Sequence, residues 1–166
     1  MNPTDPSAKL AEKTSKPAPK SARRRAREFV LQGLYQWRVG NQDEAAVEAY
    51  MPEMDHFDKA DQTFFVANFR GTIAQSEGLI ERISQHIDRD FTELSPIEAC
   101  ILLMGAFELL HQIDTPYRVI INEAIELAKS FGGTDGHKYV NGVLDKIAAE
   151  ARPEEFAARF SARNAG

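Results

Sequence analysis

The chain has 166 residues, 43% of them hydrophobic and 27% charged, with a net charge of −5. That length buries a core without metals or cross-links, and a single cysteine, Cys100, rules out a disulfide within the chain. No segment approaches the roughly 20 apolar residues that a membrane-spanning helix needs, and residues 1–20 lack the apolar centre of a secretory signal. A soluble protein of a reducing cytoplasm is expected, with Cys100 a small buried hydrophobe.

Charge is divided along the chain. Residues 1–40 hold nine Lys and Arg against three acids, a local charge of +6, and the remainder carries −11. Salt screens beyond about 10 Å, so a ligand at contact range feels the local charge and not the total.

Residues 1–20, MNPTDPSAKLAEKTSKPAPK, have almost nothing to bury and read as a disordered tail. From Ser21 onward the apolar residues recur with helical period, and no alternating β-branched run marks a strand. The first helix is expected over about Ala22–Val39. Ala26, Phe29, Val30, Gly33 and Trp37 share its core side, Gly33 allowing close helix packing. Arg24, Arg27, Glu28, Leu31, Tyr35 and Arg38 fall on the opposite side. A short helix fits QDEAAVEAYMPEM, and a third, starting near Asp58, carries Phe64, Phe65, Phe69 and Ile73. A fourth presents Leu79, Ile80, Ile83 and Ile87.

The second half is punctuated more sharply. Ser95, Pro96 and Glu98 predict a capping box opening a helix to about Gln112 that is apolar almost all round, hence central and buried. Thr115 and Pro116 open the next helix, which Gly132 stops. A last strong helix from about Asp135 buries Val140, Val143, Leu144 and Ile147. Residues 153–166 form a C-terminal extension expected to add a frayed turn or two. The whole is an all-α protein of about seven helices.

Enzyme chemistry finds little footing. His56, His86, His111 and His137 lie in no metal-binding motif, no glycine-rich loop resembles a phosphate cradle, and no nucleophile stands in a recognisable pattern. No metal or cofactor is expected. The run RRRAR is different, because arginines are mildly unfavourable at a helix N-terminus. Guanidinium groups suit phosphates and stack on bases. From charge alone, a solvated helix end and a polyanion site are about equally good readings. Tyr35 among the arginines tilts the balance toward single-stranded nucleic acid.

RRRAREFVLQGLYQW (Arg23 to Trp37) and INEAIELAKSFGGTDGHKYVNGVLDK (Ile121 to Lys146), with SPIEACILLMGAFEL between them, resemble the signature segments of the bacterial transcription antitermination factor NusB family. The resemblance covers about residues 21–150. It implies two packed helical subdomains, roughly 21–75 and 76–152, and a non-catalytic function. Such proteins bind boxA, a single-stranded RNA element of ribosomal RNA transcripts, together with NusE, a small-subunit ribosomal protein. The pair joins the RNA polymerase elongation complex with other Nus factors. By motif match Arg23, Arg24, Arg25 and Arg27 fall in the RNA-binding segment, and Tyr35 and Gln36 continue that surface. His137, Lys138, Tyr139 and Asn141 match a second RNA-facing stretch, Asp135 a position that tunes RNA affinity, and Glu98 a contact with NusE.

The residues themselves leave some of this open. Tyr139 reads equally well as core packing or as a base-stacking ring. Asn122, Glu123 and Glu126 read best as surface polarity, Glu126 pairing with Lys129. A homodimer of the free protein would cover the arginine face. Two other classes stand beside the antitermination reading: an accessory domain related to ribosomal RNA methyltransferases, for which the chain has no cofactor loop, and an adaptor binding protein alone.

Overall fold

The structure is a computed structural model describing residues 20–165, with side chains as far as Arg159. The tail expected over 1–20 therefore lies, except for Lys20, outside the described residues. Among these there are eight α-helices and no strand, as the all-α reading expects. They are α1 (Ala22–Arg38), α2 (Glu44–Tyr50), α3 (Gln62–Ala74), α4 (Ser76–Ser84), α5 (Pro96–His111), α6 (Tyr117–Phe131), α7 (Gly136–Ala151) and α8 (Pro153–Ala165). Three short 3-10 turns, at Met51–Glu53, Phe57–Lys59 and Phe91–Glu93, link them.

The helix starts follow local chemistry where a polar side chain precedes them. Ser21 Oγ accepts from the Arg24 amide, Asp43 caps α2 and Asp61 caps α3. Two expected caps do not form. Ser95 makes no side-chain capping bond to α5, and the α6 cap position is Pro116, not Thr115.

Helix α5 is the axis of the molecule: every residue from Ala99 to Leu109 is buried. Helices α1, α3, α4, α6 and α7 all pack on it. Gly33 of α1 works as its sequence suggests, for a Cβ there would come within 2.8 Å of the fully buried Phe69 ring of α3.

One expectation for α1 is corrected. Leu31 and Arg27, assigned to its outer side, are both 3% exposed. Helix α1 packs on α3 and on α5 at once, so two of its sides face protein and a single apolar stripe does not describe it.

A second correction concerns the C-terminus. In place of a frayed turn, α8 is a 13-residue helix tied to the body by Arg152. That buried guanidinium donates to the carbonyls of Leu109, Gln112 and Thr115 at 2.9 Å and of Glu108 at 3.3 Å, all at the C-terminal end of α5 or just beyond. The end of a helix carries the negative end of its dipole and runs short of amide donors, although the Glu108 carbonyl also accepts the Gln112 amide. Arg152 also meets Glu155 at 2.8 Å, and Glu155 accepts the Tyr117 amide at 2.7 Å. The first turn of α6 is thus capped by a carboxylate 38 residues away.

Candidate nucleic-acid interface

The four arginines of RRRAR have four different fates, set by the turn of α1. Arg27 points inward, toward α5. Its guanidinium grips the Glu108 carboxylate at two points, 2.9 and 2.8 Å, and lies 4.9 Å from the Phe64 ring centroid. Its placement among the RNA-binding arginines is therefore corrected: its donors are spent inside the protein. Arg24 is half-exposed and bound to Glu123 of α6 through contacts of 3.0 to 3.3 Å. That carboxylate, chiefly through its hydrogen bonds, raises the arginine above its ordinary pKa. Arg23 is half-exposed over the Phe64 ring, 3.8 Å from Asp61. Arg25 makes no ion pair among the described residues.

Arg25 instead borders a cleft of about 510 Å³. Phe29, Leu31 and Ile97 give it apolar lining, and Gln32, Tyr35, Gln36 and Arg25 supply polar groups. Across it stand Phe131, at the end of α6, and Asp55 and His56, from the link between α2 and α3. Two large aromatics, Tyr35 and Phe131, stay exposed at 38% and 50%. The volume and the mix of apolar wall with a few polar groups are those of a ligand site, and aromatics with a cation suit unstacked bases. Phe131 is absent from the residues singled out in the sequence. Only its exposure in the fold marks it.

The second stretch is less unified. Glu98 is half-buried against the first residue of α7: a Cβ added at Gly136 would run into the Glu98 carboxylate. Glu98 thus lies close against the α7 start, next to Ile97, which lines the cleft. Asp135 and Lys138 are well exposed and partly neutralise each other at 3.5 Å, and His137 is half-buried. Tyr139 packs against the core with Arg89 5.5 Å from its ring centroid. Its hydroxyl is enclosed without a partner among the described residues, and burial pushes its pKa up. Of its two readings, core packing is the one that this geometry favours. Asn141 lines a different cleft, of about 450 Å³, between α6 and α7, with Arg118 and Asn122. Tyr139 therefore does not share a surface with Asn141.

Among the described residues no group of three or more His, Cys, Asp or Glu side chains could hold a metal ion, and no helix is long and apolar enough to cross a membrane.

The model of the NusB family matches residues 24–149. The chain belongs to the NusB family. The transcription antitermination protein NusB of Dechloromonas aromatica (strain RCB) is 71% identical over 148 residues, covering 89% of this chain and 91% of that protein. The transcription antitermination protein NusB of Ralstonia nicotianae (strain ATCC BAA-1114 / GMI1000) is 54% identical over 144 residues, 87% and 93% of the two chains. Among solved structures, T. maritima NusB aligns with a TM-score of 0.69 at 30% identity, over 86% of this chain and 99% of that one. The NusB match takes in the arginine run from Arg24, every cleft residue but Lys20, and the whole of the second signature segment. It stops before Arg152 and Glu155, so the anchor of α8 lies outside it.

Proposed function

We propose that this NusB-family chain is a transcription antitermination factor without catalytic activity, and that it binds single-stranded boxA RNA of ribosomal RNA transcripts in the cleft between α1 and Phe131. NusE is its protein partner, and the pair joins the RNA polymerase elongation complex with other Nus factors. The observation that carries the RNA reading is the cleft itself. Arg25, which makes no ion pair among the described residues, and two exposed aromatics, Tyr35 and Phe131, border one concavity with the carboxamides of Gln32 and Gln36.

Each group has a task there. Arg25 neutralises phosphate at the cleft edge. Tyr35 and Phe131 offer faces to unpaired bases. Gln32 and Gln36 present donors and acceptors to base edges. Asp135, exposed at the start of α7, repels phosphate and moderates affinity, and Glu98 belongs to the side that meets NusE.

A mobility shift with a boxA-like oligonucleotide, with and without NusE at two salt concentrations, tests this reading. The expected result is a complex that weakens with salt and tightens when NusE is added. Capture of NusE without any RNA shift at low salt would reduce the protein to an adaptor and overturn the RNA assignment.

A further inference from the structure

Glu123 stands where a phosphate would stand. Its carboxylate sits on the Arg24 guanidinium with three contacts between 3.0 and 3.3 Å. This two-point geometry is also the one by which arginine holds a phosphate. Glu123 is mostly covered, its side chain 16% exposed, while Arg24 remains 44% exposed. The carboxylate is therefore built in from below and the guanidinium is presented above it. Glu126 and Glu28 add their negative charge to the same arginine. Glu28 in turn holds Lys20 at 2.6 Å. Glu123, Glu126, Glu28, Lys20 and Arg24 line one narrow crevice between α1 and α6. Surface polarity does not describe Glu123, because its partner lies 99 residues away on another helix.

We infer that Glu123 is an internal competitor for the phosphates of the bound RNA and sets the affinity of the arginine strip. The inference rests on the RNA-binding reading above. A transcript engaging Arg24 must displace a carboxylate already in place, so that contact is an exchange and not a net gain. Charge alone then holds RNA weakly, and Arg25, which makes no ion pair among the described residues, carries a larger share of the binding with the aromatic cleft.

The test measures binding of a boxA-like single-stranded RNA, and of a scrambled RNA of equal length, across a salt series. The proteins are wild type, Glu123→Gln, Arg24→Gln and the double variant. An exposed ion pair of this kind corresponds to about a two- to five-fold change in affinity. Glu123→Gln is expected to tighten both RNAs by about that factor, and to steepen the log–log salt slope by up to about 0.7, one phosphate contact on a single strand. In the Arg24→Gln background the same substitution should change nothing, because its effect passes through Arg24.

Unchanged or weakened binding by Glu123→Gln, with its thermal midpoint kept, overturns the inference; weakening would mean that Glu123 positions Arg24 for RNA. Equal tightening with and without Arg24 overturns it too, since the effect would then be bulk charge. These failures differ from failure of the RNA reading, in which the wild type itself shifts no RNA. Glu123→Ala, which can make no hydrogen bond to Arg24, is measured beside it and is expected to tighten both RNAs in the same way; unchanged binding by a folded Glu123→Ala overturns the inference too.

Discussion

Arg27 and Glu108 form a two-point ion pair that joins α1 to the central helix, with both side chains only 3% exposed. Either charge alone would be costly at that depth, and the pairing is what makes both tolerable. The arginine run therefore contains a structural member. A variant series that treats its arginines as one patch would confuse folding with binding.

Arg27→Ala should destabilise the protein by about 3–5 kcal/mol, because it strands the Glu108 carboxylate in the core. Replacing the pair together, as Arg27→Met with Glu108→Leu, should recover most of that loss. Urea denaturation followed by circular dichroism measures both. Wild-type-like stability of Arg27→Ala would show that water reaches Glu108 and that the pair is not closed.

Arg25, Tyr35 and Phe131 should behave in the opposite way. All three border the cleft, and neither aromatic is buried. Surface changes away from packed features stay within about 0.5 kcal/mol. Phe131→Ala and Tyr35→Ala should each weaken RNA binding by about 1–3 kcal/mol if a base stacks on the ring. Arg25→Ala should weaken it and flatten the salt dependence by about one phosphate contact. Titration of labelled RNA, with a thermal melt of each variant, separates the two effects. Intact binding by all three variants would remove the cleft as the site.

The C-terminal anchor gives a prediction about stability alone. Removing residues 153–166 deletes Glu155, which leaves the Tyr117 amide without its acceptor and Arg152 without its carboxylate. A lost charged hydrogen bond of this kind is worth about 1.5–3 kcal/mol. For a chain of this size that lowers the melting temperature by several degrees. Glu155→Gln should fall between the truncated and the full chain. RNA binding should persist in both, because no residue of α8 borders the cleft. A truncated protein that melts like the full chain would show that Arg152 alone holds the end of α5.

How much of this was legible in the sequence follows from what each feature depends on. Helices α5, α6 and α7 were readable because Pro96, Gly132 and the apolar spacing are local signals. The depth of Arg27 and Leu31 was not, since a helical wheel assigns one buried side and α1 has two. Arg152 was invisible for a related reason: its acceptors lie 37 to 44 residues earlier and meet it only once α5, α6 and α7 are packed. Glu98 satisfied the capping-box spacing, yet its side chain lies against Gly136. Of the candidate site, Arg25, Tyr35 and Gln36 were found through one helix. Phe131 had to be seen exposed, and Asn141 and Tyr139 had to be seen apart.

Cys100 is fully buried in α5, and burial pushes its thiol up to about 11. An ordinary thiol ionises near 8.5. The folded state thus holds the proton more tightly than the unfolded state does. Its contribution to stability is complete below about pH 8.5 and is lost as pH rises toward 11. The loss amounts to about 2–3 kcal/mol at the upper end. Urea midpoints measured between pH 8 and 11 should fall more steeply for wild type than for Cys100→Ala, which lacks the group. At pH 8 iodoacetamide should leave the folded thiol untouched and modify it once urea unfolds the chain, because the thiolate is the reactive form. Rapid labelling of the native protein at pH 8 would place Cys100 within reach of solvent and contradict the packing around α5.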